Sequence, residues 1–216
     1  MRKMAFMLAL VLLFTPAFAQ SFNDIKQLNE ELKVVGENDQ QIHDKLIDEG
    51  NRFGRTGDKS GLDAVIKEKH AVDSSNQAFV SKVLDFMGWP EGLSEEANAA
   101  IFLVINHAGI KYQKKHFDLV KNQSQLGLIP MGDYATLVDK ILVKSGMPQE
   151  YGTQTIVLNR ETLLWPVVDP DKLDERRAKA GLTPIDDHFF VVESTYGNKI
   201  TWDKTKTVEG IGVRFK

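Results

Sequence analysis

One stretch restricts the possible folds more than any other. In LSEEANAAIFLVINHAG, residues 93–109, Asn98 is the only polar side chain between Ala97 and Ile105. A helix that is apolar on every face has no side to give to solvent, so it must lie at the centre with other elements packed around it. Ser94 is placed to cap it, Glu95 and Glu96 favour the positive end of its dipole, and Gly109 ends it. The remainder of the chain must supply amphipathic partners for this helix.

Most of those partners read as helices. Ile25, Leu28, Leu32 and Val35 recur at spacings of three and four, which predicts a helix ending at Gly36. Asp39 is positioned to cap a second helix carrying Ile42, Leu46 and Ile47, with the glycine-rich NRFGRTGDKSG, residues 51–61, as a loop. Leu62 to Met87 reads as one long helix, or two joined near Asp73-Ser74-Ser75, stopped by Gly88 and Pro90. Ile110 to Leu126 gives another helix, and Asp133 caps one with Tyr134, Leu137, Val138, Ile141 and Leu142 on one face, closed by Gly146 and Pro148.

The pattern changes after QEYGTQ. TIVL and LLWPV flank NRET, which predicts a β-hairpin with a four-residue loop. DPDKLDERRAKAG is a short helix with Pro170 at its first position, and Thr183 with Asp186 resembles a capping box. In the tail, HFFVVES reads as strand or as helix, while KITW and VEGIGVRF read as strands. The expected fold is mainly α: a bundle-like helical domain with one small β-hairpin, a helical N-terminal extension and short strands in the tail. The expected boundaries are a signal peptide at 1–19, the extension at 20–87, the main domain at 88–190 and the tail at 191–216.

The signal peptide is read from MRKMAFMLALVLLFTPAFAQ. Arg2 and Lys3 precede an eleven-residue apolar run, Met4 to Phe14, and Ala17-Phe18-Ala19 has the small-residue pattern of a cleavage site before Gln20. That run is too short to span a bilayer core of about 30 Å. A periplasmic or secreted protein, with no membrane span after cleavage, is the expectation. Its 27 basic and 30 acidic residues become 25 and 30 without Arg2 and Lys3, a net charge of −5 that argues against nucleic acid as a partner. There are no cysteines, so disulfides, thiolate metal sites and cysteine nucleophiles are excluded and an apolar core must hold the fold.

The least generic segment is GMPQEYGTQT, residues 146–155. Gln149, Tyr151, Thr153 and Gln154 offer amide and hydroxyl groups at a helix-to-strand junction, suited to a sugar or peptide ligand or to satisfying buried backbone groups there. His107, near the end of the buried helix, is a candidate acid or base, or a hydrogen-bonded core histidine. Asp139 falls about 130° from the centre of its helix's apolar stripe, where a solvated or salt-bridged role is the default. Asp174, Arg176 and Arg177 share one helical turn, and either arginine can clamp an anion or bridge elements through carbonyls. No HExxH spacing occurs, and His43, His70 and His188 are scattered, so neither a metal nor a cofactor is expected.

The fragments GWP at 88–90, INHAG at 105–109, YQKKHFDLVK from Tyr112, DKILVKSGMPQEYGTQ and DERRAKAGLTP from Asp174 occur in an order that resembles a bacterial domain family of unknown function. Its marks are a QxYGTQ signature and a DxRR helix followed by Gly-Leu, and the resemblance covers roughly residues 86–189. It implies a mostly helical domain with a small hairpin and supplies no reaction. This chain departs from the family at Lys140, where an arginine is usual after the aspartate. Two functional classes follow. One is a binding or interaction module using the 149–154 loop with Arg176 and Arg177, its partner a cell-envelope sugar, a peptide or another protein. The other is a hydrolase or lyase using His107 with Asp139 or Asp174 and an arginine anion clamp. The lack of a recognised nucleophile or metal set favours binding.

Overall fold

Asp24 starts the first helix by accepting hydrogen bonds from the Lys26 and Gln27 N–H groups at 2.9 and 3.3 Å, a side-chain cap of the ordinary kind. The computed structural model describes residues 24–212 apart from Arg160 and Asn198. The expected signal segment and the last four residues of the tail lie outside the described residues.

Helix α1, Ile25–Thr56, runs through both Gly36 and Asp39 without a break. Gly36 does not end a helix; it lets two helices touch. A Cβ there would sit 3.0 Å from the Ala100 Cβ of the central helix. Asp39 is correspondingly no cap but a buried member of the stripe Leu28, Leu32, Val35, Asp39, Ile42. The expected loop at 51–61 shrinks to three residues, because α1 ends only at Gly57, which has φ +73° and donates to the Phe53 carbonyl at 2.8 Å. Helix α2, Ser60–Met87, is continuous and stops at Gly88.

Helix α3, Glu95–His107, is the apolar segment, and Ser94 caps it through the Ala97 N–H at 3.2 Å. It is surrounded as its composition demands. Leu28, Leu32 and Val35 of α1, Val80, Val83 and Leu84 of α2, Val120 of α4 (Ile110–Gln125) and Leu137 of α5 (Met131–Lys144) close over Ile101, Phe102 and Ile105 in one core. That core is therefore shared by elements on both sides of residue 87. Helix α5 begins at Met131 after Pro130, so Asp133 lies in its first turn and not at its cap.

A second, smaller core lies under the sheet. Strands β1, Thr155–Leu158, and β2, Glu161–Leu164, pair antiparallel with Leu158 opposite Glu161. Only positions 159 and 160 separate them, a tighter connection than the four-residue loop expected, and Asn159 supplies the positive φ of 52° that short hairpins require. Strand β3, Ile200–Thr201, adds to β2 in parallel. A 3₁₀ turn, Pro170–Lys172, leads into α6, Leu173–Lys179. The ambiguous HFFVVES segment is helical, within α7, Ile185–Tyr196. No capping box starts it; the Ile185 N–H goes instead to Asp174 Oδ1 at 2.8 Å. Val208–Ile211 is a short helix, α8, where a strand was expected. Leu164, Val167, Leu173, Ile185 and Ile200 form the second core. The fold is mainly α with one small sheet, and no helix among the described residues is long and apolar enough to cross a membrane.

Candidate functional site

The polar segment at 149–154 is built inward. Gln149 is fully buried, and its amide donates to the Gln154 and Trp165 carbonyls at 2.9 and 2.7 Å and accepts from the Gln154 N–H at 2.8 Å. Asp139 is not solvated. It is completely buried, and its carboxylate receives the Glu150 and Tyr151 N–H groups at 2.8 and 3.0 Å, and the Thr153 N–H and hydroxyl each at 2.9 Å. Burial pushes its carboxyl above the ordinary value, and these donors pull the other way. Lying off the apolar stripe of α5 marked Asp139 as surface, but the loop folds back over that flank and uses the carboxylate as its template.

The arginines complete the same joint. Arg176 donates to the carbonyls of Glu150, Val168 and Asp169. Arg177 is buried and donates to the Thr183 carbonyl at 2.6 Å and the Tyr151 carbonyl at 2.7 Å. Asp174 holds the start of α7. Gly152, at φ +67°, packs against Ile185 and Leu173, so a Cβ there would come within 3.2 and 3.3 Å of their methyl groups. Gln149, Thr153, Asp139, Asp174, Arg176 and Arg177 thus spend their polar groups tying α5, the hairpin, α6 and α7 together.

His107 lies elsewhere, and its partner is neither Asp139 nor Asp174. Its Nδ1 is 2.7 Å from Asp39 Oδ2. A carboxylate only accepts, so Nδ1 carries a proton and Nε2 is the ring nitrogen turned away from Asp39. His43, one turn after Asp39 on α1, donates its own Nδ1–H to the Asp39 carbonyl at 3.0 Å and stacks on His107 with ring centroids 3.7 Å apart. Burial is the main cause lowering the His43 pKa, and the neighbouring His107 adds to it. Two stacked imidazoles cannot both be charged at low cost.

These rings form one wall of a cavity of about 380 Å³. Lys69 of α2, Lys140 and Lys144 of α5, Asn106 of α3 and Thr155 of β1 add to its polar lining, and Gln154 is the one member of the predicted 149–154 loop that reaches it. Lys69 is paired with Asp73 at 2.5 Å. Lys140 and Lys144 have no carboxylate within 4.0 Å among the described residues; their nearest bonds are long ones, 3.4 and 3.5 Å, to the Asn106 and Ala108 carbonyls at the end of α3. Burial, helped by the neighbouring Lys144, lowers the Lys140 pKa to about 8. Asn106 Oδ1 is buried with no hydrogen-bond partner among the described residues. Asp39, His43 and His107 offer ligand atoms within 4.8 Å of one another, a metal-like spacing that no linear motif announces because it joins α1 to α3. Lys140 and Lys144, without a carboxylate partner on the same cavity, oppose a dication there.

The sequence reading singles out His107 and not the residues around it. The signal was present: Asp39 continues the alternating four- and three-residue steps of Leu28, Leu32 and Val35, so it is an acid on an apolar stripe, visible once the helix is not broken at Gly36. Lys140, the departure from the expected arginine, was noticed but given no role.

No curated protein and no solved structure matches this chain. A protein-family model does, over residues 26–201, more of the chain on both sides than the 86–189 marked by the motifs. The matched stretch contains both the buried joint and every residue named at the cavity, and the chain belongs to the Family of unknown function (DUF6624).

Proposed function

We propose that the cavity between α1, α3, α5 and β1 is the functional centre, and that the protein is a small-molecule enzyme of the hydrolase or lyase type acting on an anionic substrate. The observation that carries this reading is the Asp39–His107 contact of 2.7 Å at the wall of a lysine-lined pocket. A buried carboxylate that accepts from Nδ1 fixes the tautomer of the imidazole and leaves Nε2 as the atom that can exchange a proton with a substrate. Lys144 supplies the positive charge that holds an anion beside it. The joint at 149–154 carries β1 and Gln154 to the cavity wall. The expected leader places this activity outside the cytoplasm, on a carboxylated or phosphorylated sugar or peptide of the cell envelope; amino-terminal sequencing of the protein recovered from its cells checks that location.

Thermal unfolding against phosphate, sulfate, pyruvate, citrate and acidic muropeptides tests the pocket. An anion at 100 times its dissociation constant should stabilise the protein by about 2.7 kcal/mol, and Lys144→Gln should remove the effect. Absence of any shift sinks the reading. Ligands that do bind are then followed by NMR for turnover, which His107→Gln should abolish while the shift persists. Binding without turnover by the wild type would leave a binding module in place of an enzyme.

A further inference from the structure

We infer that Lys140 is the nucleophile of this pocket and forms an imine with a small 2-oxo acid, whose carboxylate is held by Lys144. The inference rests on the anion pocket proposed above and goes on to name its substrate class.

Lys140 is placed as such a residue must be. It comes from the middle of α5, and its side chain crosses the end of α3 to reach the cavity wall beside His107. A buried ammonium is normally neutralised by a carboxylate, and none lies within 4.0 Å among the described residues. The alternative relief is loss of the proton, and the ammonium of Lys144, one turn further along the helix, pushes the same way. The lowered pKa of about 8 agrees with that geometry. A neutral amine in a cationic pocket is a nucleophile whose substrate carries both a carbonyl and a negative charge. Asn106 Oδ1, buried and unpartnered, is an acceptor suited to the hydroxyl that appears when the amine adds.

The step balances without an oxidant. The Nζ lone pair attacks the carbonyl carbon, the C–N bond forms, and the π pair moves to oxygen, which takes a proton. Two protons leave nitrogen, one taken by that oxygen and one that turns the hydroxyl into departing water, and the nitrogen pair closes the C=N bond. Amine plus carbonyl gives imine plus water. His107 Nε2, held by Asp39, is the group that carries the proton from nitrogen to the departing hydroxyl.

The test is reductive trapping. The full-length protein is incubated with pyruvate, glyoxylate or 2-oxobutyrate, treated with sodium borohydride, digested and mapped by mass spectrometry. The expected result is one adduct on Lys140, at least tenfold above any exposed lysine, rising as pH passes about 8 and absent in Lys140→Arg. Labelling spread over lysines according to exposure, or none with all three acids, overturns the inference. Mapping of the wild type decides this even where Lys140→Arg folds poorly. If trapping fails while anions still stabilise the wild type in a Lys144-dependent way, the imine is wrong and the anion pocket stands; if the stabilisation fails as well, both fall.

Discussion

Asp139 shows how much one carboxylate can organise. Three backbone N–H groups and a hydroxyl converge on it in a place with no solvent. Asp139→Ala orphans those donors, and at roughly 1 kcal/mol or more for each the loss should be about 3 kcal/mol at least, measured by urea unfolding. Asp139→Asn keeps one acceptor oxygen but turns a donor towards a donor, so it should recover only part of that. Lys140, one residue on, has the opposite energetics. Its pKa falls from 10.5 to about 8 in the folded chain, so the folded state binds fewer protons than the unfolded one between those values. The cost is complete below about pH 8 and gone above pH 10.5. Lys140→Met should therefore stabilise the protein at pH 7, by up to ~3 kcal/mol, with the gain fading as the pH approaches 10.5. A loss of stability at pH 7 would contradict the burial argument. Asp139 therefore holds the fold together, whereas Lys140 costs stability where it stands.

At the scale of elements, the glycines of α1 separate two meanings of one residue. Gly50 has nothing within 4 Å of where its Cβ would be, so Gly50→Ala should stabilise by about 0.5–1 kcal/mol. Gly36 faces Ala100 at 3.0 Å, and Gly36→Leu should force α1 off α3 and lower the melting temperature. Both are read by calorimetry of the single variants. The effect of Gly36→Leu should extend to the site, because α1 carries Asp39 and His43 to a ring on α3. Gly152 is a third case, with positive φ and two methyl groups at its back. Gly152→Ala should cost 2 kcal/mol or more, on the order of 1 for the backbone and 1 for crowding. Sequence periodicity found α3, α4 and α5 because their apolar spacing is local. It broke α1 at Gly36, because a glycine that ends a helix and one that admits a neighbouring helix look alike until the neighbour is known.

For the molecule as a whole, the first core decides what can exist alone. Ile101 and Ile105 are covered by Leu28, Leu32 and Val35 from one side of residue 87 and by Val120 and Leu137 from the other. A chain beginning at residue 88 should expose the apolar face of α3 that α1 covers, and should show neither sharp thermal unfolding nor dispersed NMR signals. The intact protein should unfold its helices in one transition, followed by circular dichroism. What the sequence determined by itself was the mainly helical character, the centrality of α3 and the hairpin, each written in spacings of a few residues or in the polarity of a single segment. What only the tertiary structure decided was partnership: Asp39 beside His107 across 68 positions, Lys140 and Lys144 over the end of α3, and the 149–154 loop turned inward onto Asp139. Local patterns fix which face of an element is apolar, because that depends on helix and strand geometry. Which charged group crosses to another element depends on how those faces are stacked, and that is settled only when the core closes.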